Sequence, residues 1–204
     1  MPDSSTRRIL TTDIEATPWK NGGGVTREIA AGGDPDGDAG GAQGWGWRVS
    51  LAEVAQDGPF SVFPDTDRVI AVIDGVGMDL VSPEGATIAL EPFQPVRFAG
   101  EGPLSGRLRR GPVRDLNVMV RRSLFEAEME VRHGPHSAVL KGDSRGCLLV
   151  HNLAGRCALR VDGGHPHDLM PEESLVHEGE GNLELQLAAD GRAAVIRIAH
   201  RQQS

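Results

Sequence analysis

The sequence predicts an all-β protein built as two tandem small barrels with little helix, and three observations predict it. Apolar residues recur with period two, glycine and proline punctuate the chain, and one long segment echoes a second. Trp45, Trp47, Val49 and Leu51 interleave with Gly46, Arg48, Ser50 and Ala52, the pattern of a half-buried strand. Ala127, Met129 and Val131 alternate with Glu126, Glu128, Glu130 and Arg132, a second strand with one wet face. The apolar run 69–73 between Asp67-Arg68 and Asp74-Gly75 reads as a buried strand ending in a turn. The 27 glycines and 13 prolines suit many short strands and tight turns and work against long helices. No segment carries a helical apolar stripe of useful length.

The echo relates 69–101 to 147–180. Gly77 falls opposite Gly155, Pro92 opposite Pro171, and Gly100-Glu101 opposite Gly179-Glu180. The closing strand 117–122 falls opposite 196–201, and the offsets are 78 or 79 residues throughout. Such a period is too long for a solenoid and fits a duplicated barrel. The expected division is 1–132 for a first barrel with the ligand pocket and 133–204 for a second barrel serving as scaffold. The Gly- and Asp-rich segment 32–44 reads as a surface loop.

A net charge of -8 over 204 residues disfavours nucleic acid and anionic membrane surfaces as partners. The basic run Arg107, Arg109, Arg110 and Arg114 reads as a solvated loop or strand end. No stretch approaches the roughly 20 apolar residues of a membrane helix, and no apolar run follows the charges near the N-terminus. A cytoplasmic location is expected. Cys147 and Cys157 read as free buried thiols in that compartment, with a disulfide as the alternative.

Three clusters could carry chemistry, all in the first 120 residues. In Trp19-Lys20-Asn21-Gly22-Gly23-Gly24 the glycines let the backbone approach a ligand, while Lys20 and Asn21 supply a charge and an amide. A phosphate loop is rejected because the lysine precedes the glycines and a strand follows them; a glycine bulge beside a packed Trp19 is the structural alternative. In the segment 57–68, Phe60 and Phe63 plug a barrel, and Asp67-Arg68 leads into the buried strand. Burying that pair costs several kcal/mol, on the order of what an ion pair or a bound ligand must offset. In the segment 111–119, Asp115, Asn117 and Met119 share one strand face and Arg114, Leu116 and Val118 the other. Leu116 and Val118 look like core, so Asn117 points either into a lumen or to solvent.

All seven histidines (His133, His136, His151, His165, His167, His177 and His200) lie late in the chain. His165-Pro166-His167 has ligand-like spacing but reads as a solvated turn, so no metal and no cofactor are expected. No Ser/His/Asp or Cys/His constellation has a recognisable context.

The ordered motifs WKNGGG (19–24), WRVSLAEVAQDGPFSVFP (47–64), Asp67-Arg68 and GPVRDLNVM (111–119) resemble the HutD/Ves family. The likeness is strong over the first 120 residues and carried only by layout beyond them. It implies a bicupin fold, a cytosolic bacterial protein, a link to histidine utilisation, and binding of an intermediate such as formylglutamate or formiminoglutamate, with no established catalysis. Against the metal-cupin pattern His-x-His, four residues, Glu, six residues, Gly, this chain has Ser61-x-Phe63, Arg68 and Gly75 at the same spacing. A guanidinium in place of the carboxylate ligand disfavours a cation and favours a carboxylate. One departure stands out: the family pattern has a glycine near Asp65, where this chain has Pro64-Asp65-Thr66, which weakens Asp65 and Thr66 as binding positions. The segment 32–44 looks like an insertion.

The leading expectation is therefore a non-catalytic protein binding a small anionic metabolite in the first lumen. Arg68 and Lys20 would hold carboxylate oxygens, Asn21 and Asn117 would read an amide or formyl group, and Trp19 and Phe63 would form walls. Arg48 is included with its strand face left open. The alternatives are a metal-independent lyase, isomerase or hydrolase with Asp67 or Asp115 as base, and a structural stress-response protein with an empty barrel. A homodimer joined along sheet edges is compatible with the chain, but no apolar patch marks it.

Overall fold

In the computed structural model, residues 4–33 and 44–201 are described; most of the predicted loop 32–44 lies outside them. Among the described residues nineteen strands and one 3-10 turn, Thr11–Asp13, account for the regular structure. In chain order they are β1 (Ser5–Leu10), β2 (Thr17–Pro18), β3 (Gly24–Gly32), β4 (Trp47–Val54), β5 (Gly58–Pro59), β6 (Thr66–Asp74) and β7 (Met78–Val81). Then come β8 (Thr87–Leu90), β9 (Val96–Ala99), β10 (Ser105–Leu108), β11 (Val113–Arg121), β12 (Phe125–His133) and β13 (His136–Lys141). The last six are β14 (Cys147–Ala154), β15 (Cys157–Val161), β16 (Pro166–Leu169), β17 (Glu173–Glu178), β18 (Asn182–Leu187) and β19 (Arg192–His200).

The chain divides into a central unit, Ile14–Leu124, and a terminal unit, Met1–Asp13 with Phe125–Ser204. This is a different partition from 1–132 and 133–204: the first thirteen residues and the strand β12 belong with the C-terminal half. The central unit pairs a six-stranded sheet, β2-β3-β4-β11-β6-β9, with a four-stranded sheet, β5-β10-β7-β8. The terminal unit has the sheets β1-β17-β14-β19-β12 and β13-β18-β15-β16. The order β9-β6-β11-β4 in one recurs as β17-β14-β19-β12 in the other, and β5-β10-β7-β8 recurs as β13-β18-β15-β16. Each unit also carries a register shift in corresponding ladders, at Arg114/Asp115 between β11 and β6 and at Asn152/Ala154 between β14 and β19. The duplication read from glycine and proline offsets is thus present strand by strand.

The two interiors differ in chemistry. The terminal unit is filled by the aliphatic cluster of Leu148, Val150, Leu159, Leu175, Leu183 and Leu185, with the buried polar residues His151, Asn152, Ser174 and His177 beside it. The central unit has an apolar cluster of Val54, Ile70, Val72, Met78, Leu80, Leu90 and Val113, and beside it the buried polar residues Ser50, Arg68, Asp115 and Asn117. Strand β4 is buried on both faces rather than half-buried: Trp47, Val49 and Leu51 are enclosed, and so are Ser50 and Ala52.

Other sequence expectations resolve locally. Cys147 and Cys157 are free and buried, and burial raises both thiols above their ordinary range. His165 is exposed and His167 lies on the short strand β16, not in a turn. No cluster of three or more His, Cys, Asp or Glu side chains forms among the described residues. No helix is long and apolar enough to cross a membrane.

Strand β1 is an edge strand held on β17 by side chains as well as by its ladder. Arg7 pairs with Glu178, Arg8 with Glu173, and the Thr6 hydroxyl lies 2.8 Å from His177 Nδ1. His177 Nε2 lies 3.1 Å from the Glu180 carbonyl, which can only accept, so Nε2 carries the proton and Nδ1 accepts from Thr6. Thr6→Val leaves that nitrogen without a donor on a buried ring and is expected to cost about 1–2 kcal/mol in urea denaturation; an unchanged midpoint contradicts this role.

Candidate functional site

The ladder registers of the six-stranded sheet align the lumen side chains in rows. One row runs Val72, Asp115, Ala52, Thr26; the next Val96, Ile70, Asn117, Ser50, Glu28; the next Phe98, Arg68, Met119, Arg48. Period-two alternation therefore puts Arg48, Arg68, Asp115 and Asn117 on one face, which settles the face of Arg48 and sends Asn117 inward.

Arg68 is the centre of the group. It is 5 % exposed, and its guanidinium carbon sits 5.2 Å from the Phe60 ring, 5.7 Å from Phe63 and 5.2 Å from Phe98. Three ring faces at this range stabilise a buried cation by about 1–2 kcal/mol each. Among the described residues it has no ion pair, and its Nε is buried without a hydrogen-bond acceptor. Burial lowers its pKa to about 10, opposed by Asp115 and reinforced by Arg48, so it stays charged at neutral pH. Asn117 Oδ1 is likewise buried without a donor. A guanidinium Nε lacking an acceptor and an amide oxygen lacking a donor, on adjacent rows of one buried face, are a candidate recognition pair.

Asp115 is 2 % exposed on the same face. Burial pushes its carboxyl up to about 7, while the Arg68 guanidinium pulls it down. At the rim, Arg48 Nε lies 2.8 Å from Glu28 Oε2, an ion pair by distance without the alignment of a hydrogen bond.

Backbone bonds from the neighbouring turn hold the phenylalanine cage. Phe60 N donates to the Leu104 carbonyl at 2.8 Å and Phe63 N to the Gly100 carbonyl at 2.8 Å. Phe60 also needs Gly106 beneath it, because a Cβ there would lie 2.7 Å from the ring. Trp19 extends the wall: its ring meets Phe60 edge-on at 6.3 Å, and its Nε1 donates to Thr26 Oγ1 at 2.7 Å. Asp65, where the family pattern has glycine, adopts φ 51°, a left-handed conformation that Asp tolerates better than most residues.

Of the sequence candidates, the fold brings together Arg68, Phe63, Asn117, Arg48 and Trp19. It does not bring Lys20 or Asn21 to them. Lys20 is exposed in the turn between β2 and β3, and Asn21 Oδ1 accepts from Gly23 N at 3.0 Å, closing its own turn. The expected Lys20 and Asn21 contacts are therefore not part of the group around Arg68. Of the Asp67-Arg68 pair, Asp67 has an ion-pair partner: Arg122 Nε donates to it at 2.7 Å, on the strand face opposite Arg68. Arg109 in the basic run pairs with Asp79 and Glu91. Sequence reasoning missed Phe98, Ser50 and Glu28. Ser50 sits directly opposite Asn117, and only the ladder register shows that.

Two hollows lie elsewhere, of about 470 Å³ beside His200 and about 320 Å³ beside Leu140 and Val195 on the terminal unit. Both are open to solvent and largely rimmed by charged side chains, and the second includes the ion-paired Glu130 and Arg132.

Two duplicated antiparallel units, one with a plain aliphatic core and one with a caged cation in its lumen, define a double-barrel protein of the cupin type. The fold is shared with a cupin-2 conserved barrel protein from Leptotrichia buccalis, at TM-score 0.58 and 13% identity over 96% of both chains. The chain belongs to the HutD family, which it matches over residues 11–195. It is 30% identical over 199 residues to an uncharacterized 21.2 kDa protein in the hutC 3′ region of Pseudomonas putida, covering 97% of this chain and 100% of that one. It is 32% identical over 193 residues to Protein Ves of Cronobacter sakazakii, covering 92% of this chain and 97% of that one. The solved structure of HutD from Pseudomonas fluorescens SBW25 (formate condition) is similar at TM-score 0.78 and 30% identity, covering 97% of this chain and all of that one.

Gly106→Ala is expected to drive the Phe60 ring off Arg68 and cost about 1–3 kcal/mol in urea denaturation. Phe60→Leu in the same chain should relieve part of that loss, and strictly additive effects contradict the contact.

Proposed function

We propose that the central unit is a non-catalytic binding module for a small carboxylate that also carries an N–H donor. An N-acylated or N-formiminated glutamate, as in formylglutamate or formiminoglutamate, is the class that fits, and its capture would modulate histidine utilisation. The observation that carries this reading is the Arg68 guanidinium, buried and charged without an ion pair, next to the unpartnered Asn117 Oδ1. A carboxylate satisfies the first bidentately and an amide N–H satisfies the second. Arg48, on the same face and paired only at the half-exposed rim with Glu28, is placed to exchange that partner for a second ligand carboxylate. The family membership and the hutC-region location of the Pseudomonas putida relative support the pathway assignment.

Calorimetric titration with N-formylglutamate, formiminoglutamate, glutamate and urocanate tests this. One of the first two is expected to bind best, and Arg68→Met to weaken it at least tenfold, about the 1.4 kcal/mol floor for losing a charged hydrogen-bond partner. No binding of any of the four contradicts the ligand class.

A metal-independent enzyme is the second reading, and Asp115 favours it: a buried carboxyl raised to about 7 is suited to proton transfer. Turnover of a bound intermediate, lost in Asp115→Asn with binding retained, would establish it. Asp67, held by Arg122 outside the lumen, is not a base for this site.

A further inference from the structure

We propose that the Arg68 pocket is a proton-linked anion site, in which a carboxylate enters together with one proton that Asp115 takes up. This rests on the reading of the pocket as an anion site.

The geometry of the charges carries it. Asp115 lies two residues before Asn117 on the lumen face of β11, opposite Val72 and Ala52. The charge acting on its carboxylate is the Arg68 guanidinium, across space rather than in an ion pair. From β6 the facing charge is Arg68; Asp74, at the exposed end of that strand, is turned onto Gly75 N. From β4 the charge on this face is Arg48, and from β3 it is Glu28, which pairs with Arg48 at the rim. Strand β9 contributes Val96 and Phe98. The opposite sheet contributes Met78, Leu80, Ile88, Leu90 and Leu108, none of which titrates. Its Asp79 and Arg109 pair with each other on the alternate face. On β11 itself, Arg114 alternates to the other face.

The charges on this face balance, Arg48 against Glu28 and Arg68 against Asp115. With the ligand's second carboxylate on Arg48 in place of Glu28, the carboxylate at Arg68 puts two anions beside a single guanidinium in a low-dielectric space, where the second charge is strongly disfavoured. A proton removes the excess, and the two carboxylates compete for it. A ligand carboxylate bound to Arg68 pairs with the guanidinium directly, whereas Asp115 acts on it across space, so the proton goes to the Asp115 carboxylate and forms its O–H bond. Burial already holds Asp115 near neutrality, so the proton is within reach at ordinary pH. Once neutral, Asp115 becomes a hydrogen-bond donor in a pocket that otherwise offers the ligand few.

The sign follows from linkage. Below the raised pKa of the empty site Asp115 is already protonated, and binding takes up no proton. Above it, each unit of pH lowers the apparent affinity by up to tenfold until the pKa of the complex is passed. N-formylglutamate is the probe, since none of its groups titrates between pH 6 and 9. Titration calorimetry of the whole protein at pH 8, in two buffers of different ionisation heat free of carboxylate and phosphate, should give enthalpies that differ by nearly one proton's worth. At pH 5.5 the two should agree, and affinity should fall by about tenfold or more between pH 6 and 9. Asp115→Asn should remove both effects. If that variant does not fold, the wild-type buffer pair decides alone. Equal enthalpies in both buffers with flat affinity from pH 6 to 9 overturn the proton linkage and leave the anion site standing. No binding even at pH 6 overturns the anion site itself.

Discussion

A guanidinium held inside a β-barrel by three phenyl rings, with no ion-paired carboxylate among the described residues, organises the central unit. Transferring such a cation from water costs several kcal/mol, on the scale of a protein's whole stability margin. The ring faces of Phe60, Phe63 and Phe98 offset part of that cost, and Asp115 offsets some of the rest from a distance. Around this one residue the local structure takes its form. Gly106 makes room for Phe60, the Gly100 and Leu104 carbonyls fix the backbone of the cage, and Trp19 buttresses its outer ring. An apolar side chain at position 68 would be cheaper to bury. Its counterpart unit shows what the same strand order does without such a cation: leucine and valine fill the lumen.

The contrast between the duplicated units separates scaffold from site. Both share an order of four strands in each of their two sheets and a bulge at corresponding ladders. Both units bury polar side chains, but those of the terminal unit are neutral in type and partnered, as Asn152 is with the Leu169 carbonyl and His177 with Thr6, whereas the central unit buries the charged types Arg68 and Asp115. Buried polar groups that the fold does not require, and that lack partners, are where ligand chemistry is expected. In a metal cupin that position in the lumen binds a divalent cation through imidazole and carboxylate. Here Phe63 and Arg68 stand at that sequence spacing and converge, the guanidinium carbon 5.7 Å from the ring.

Much of this was legible in the sequence. Alternation at Trp47 to Ala52 and the 78- or 79-residue offsets conveyed the all-β duplicated fold, because side-chain period and turn glycines are local signals. The shared face of Asp115 and Asn117, opposite Leu116 and Val118, was legible, but whether it met a lumen or solvent was decided only by the ladder registers. Strand β1 was not legible as part of the terminal unit: its six residues are mostly exposed and carry no alternation, so nothing in them announces a partner more than 160 residues away. Lys20 and Asn21 were drawn toward the ligand by their glycine-rich setting, but Asn21 uses its own side chain to close the turn. Phe98 and Ser50 could not be assigned because only the ladder register brings them beside Arg68 and Asn117.

The central claim is that Arg68 Nε–H waits for an anionic acceptor, and its own resonance reports on it most directly. In a ¹H–¹⁵N spectrum of the arginine Nε region, assigned by comparison with Arg68→Lys, titration of N-formylglutamate should move the Arg68 signal downfield and saturably as a hydrogen bond forms. The signals of ion-paired Arg109 and Arg122 should stay where they are. An Arg68 resonance that does not respond at saturating ligand, or that shifts only in step with the surface arginines, would contradict the account.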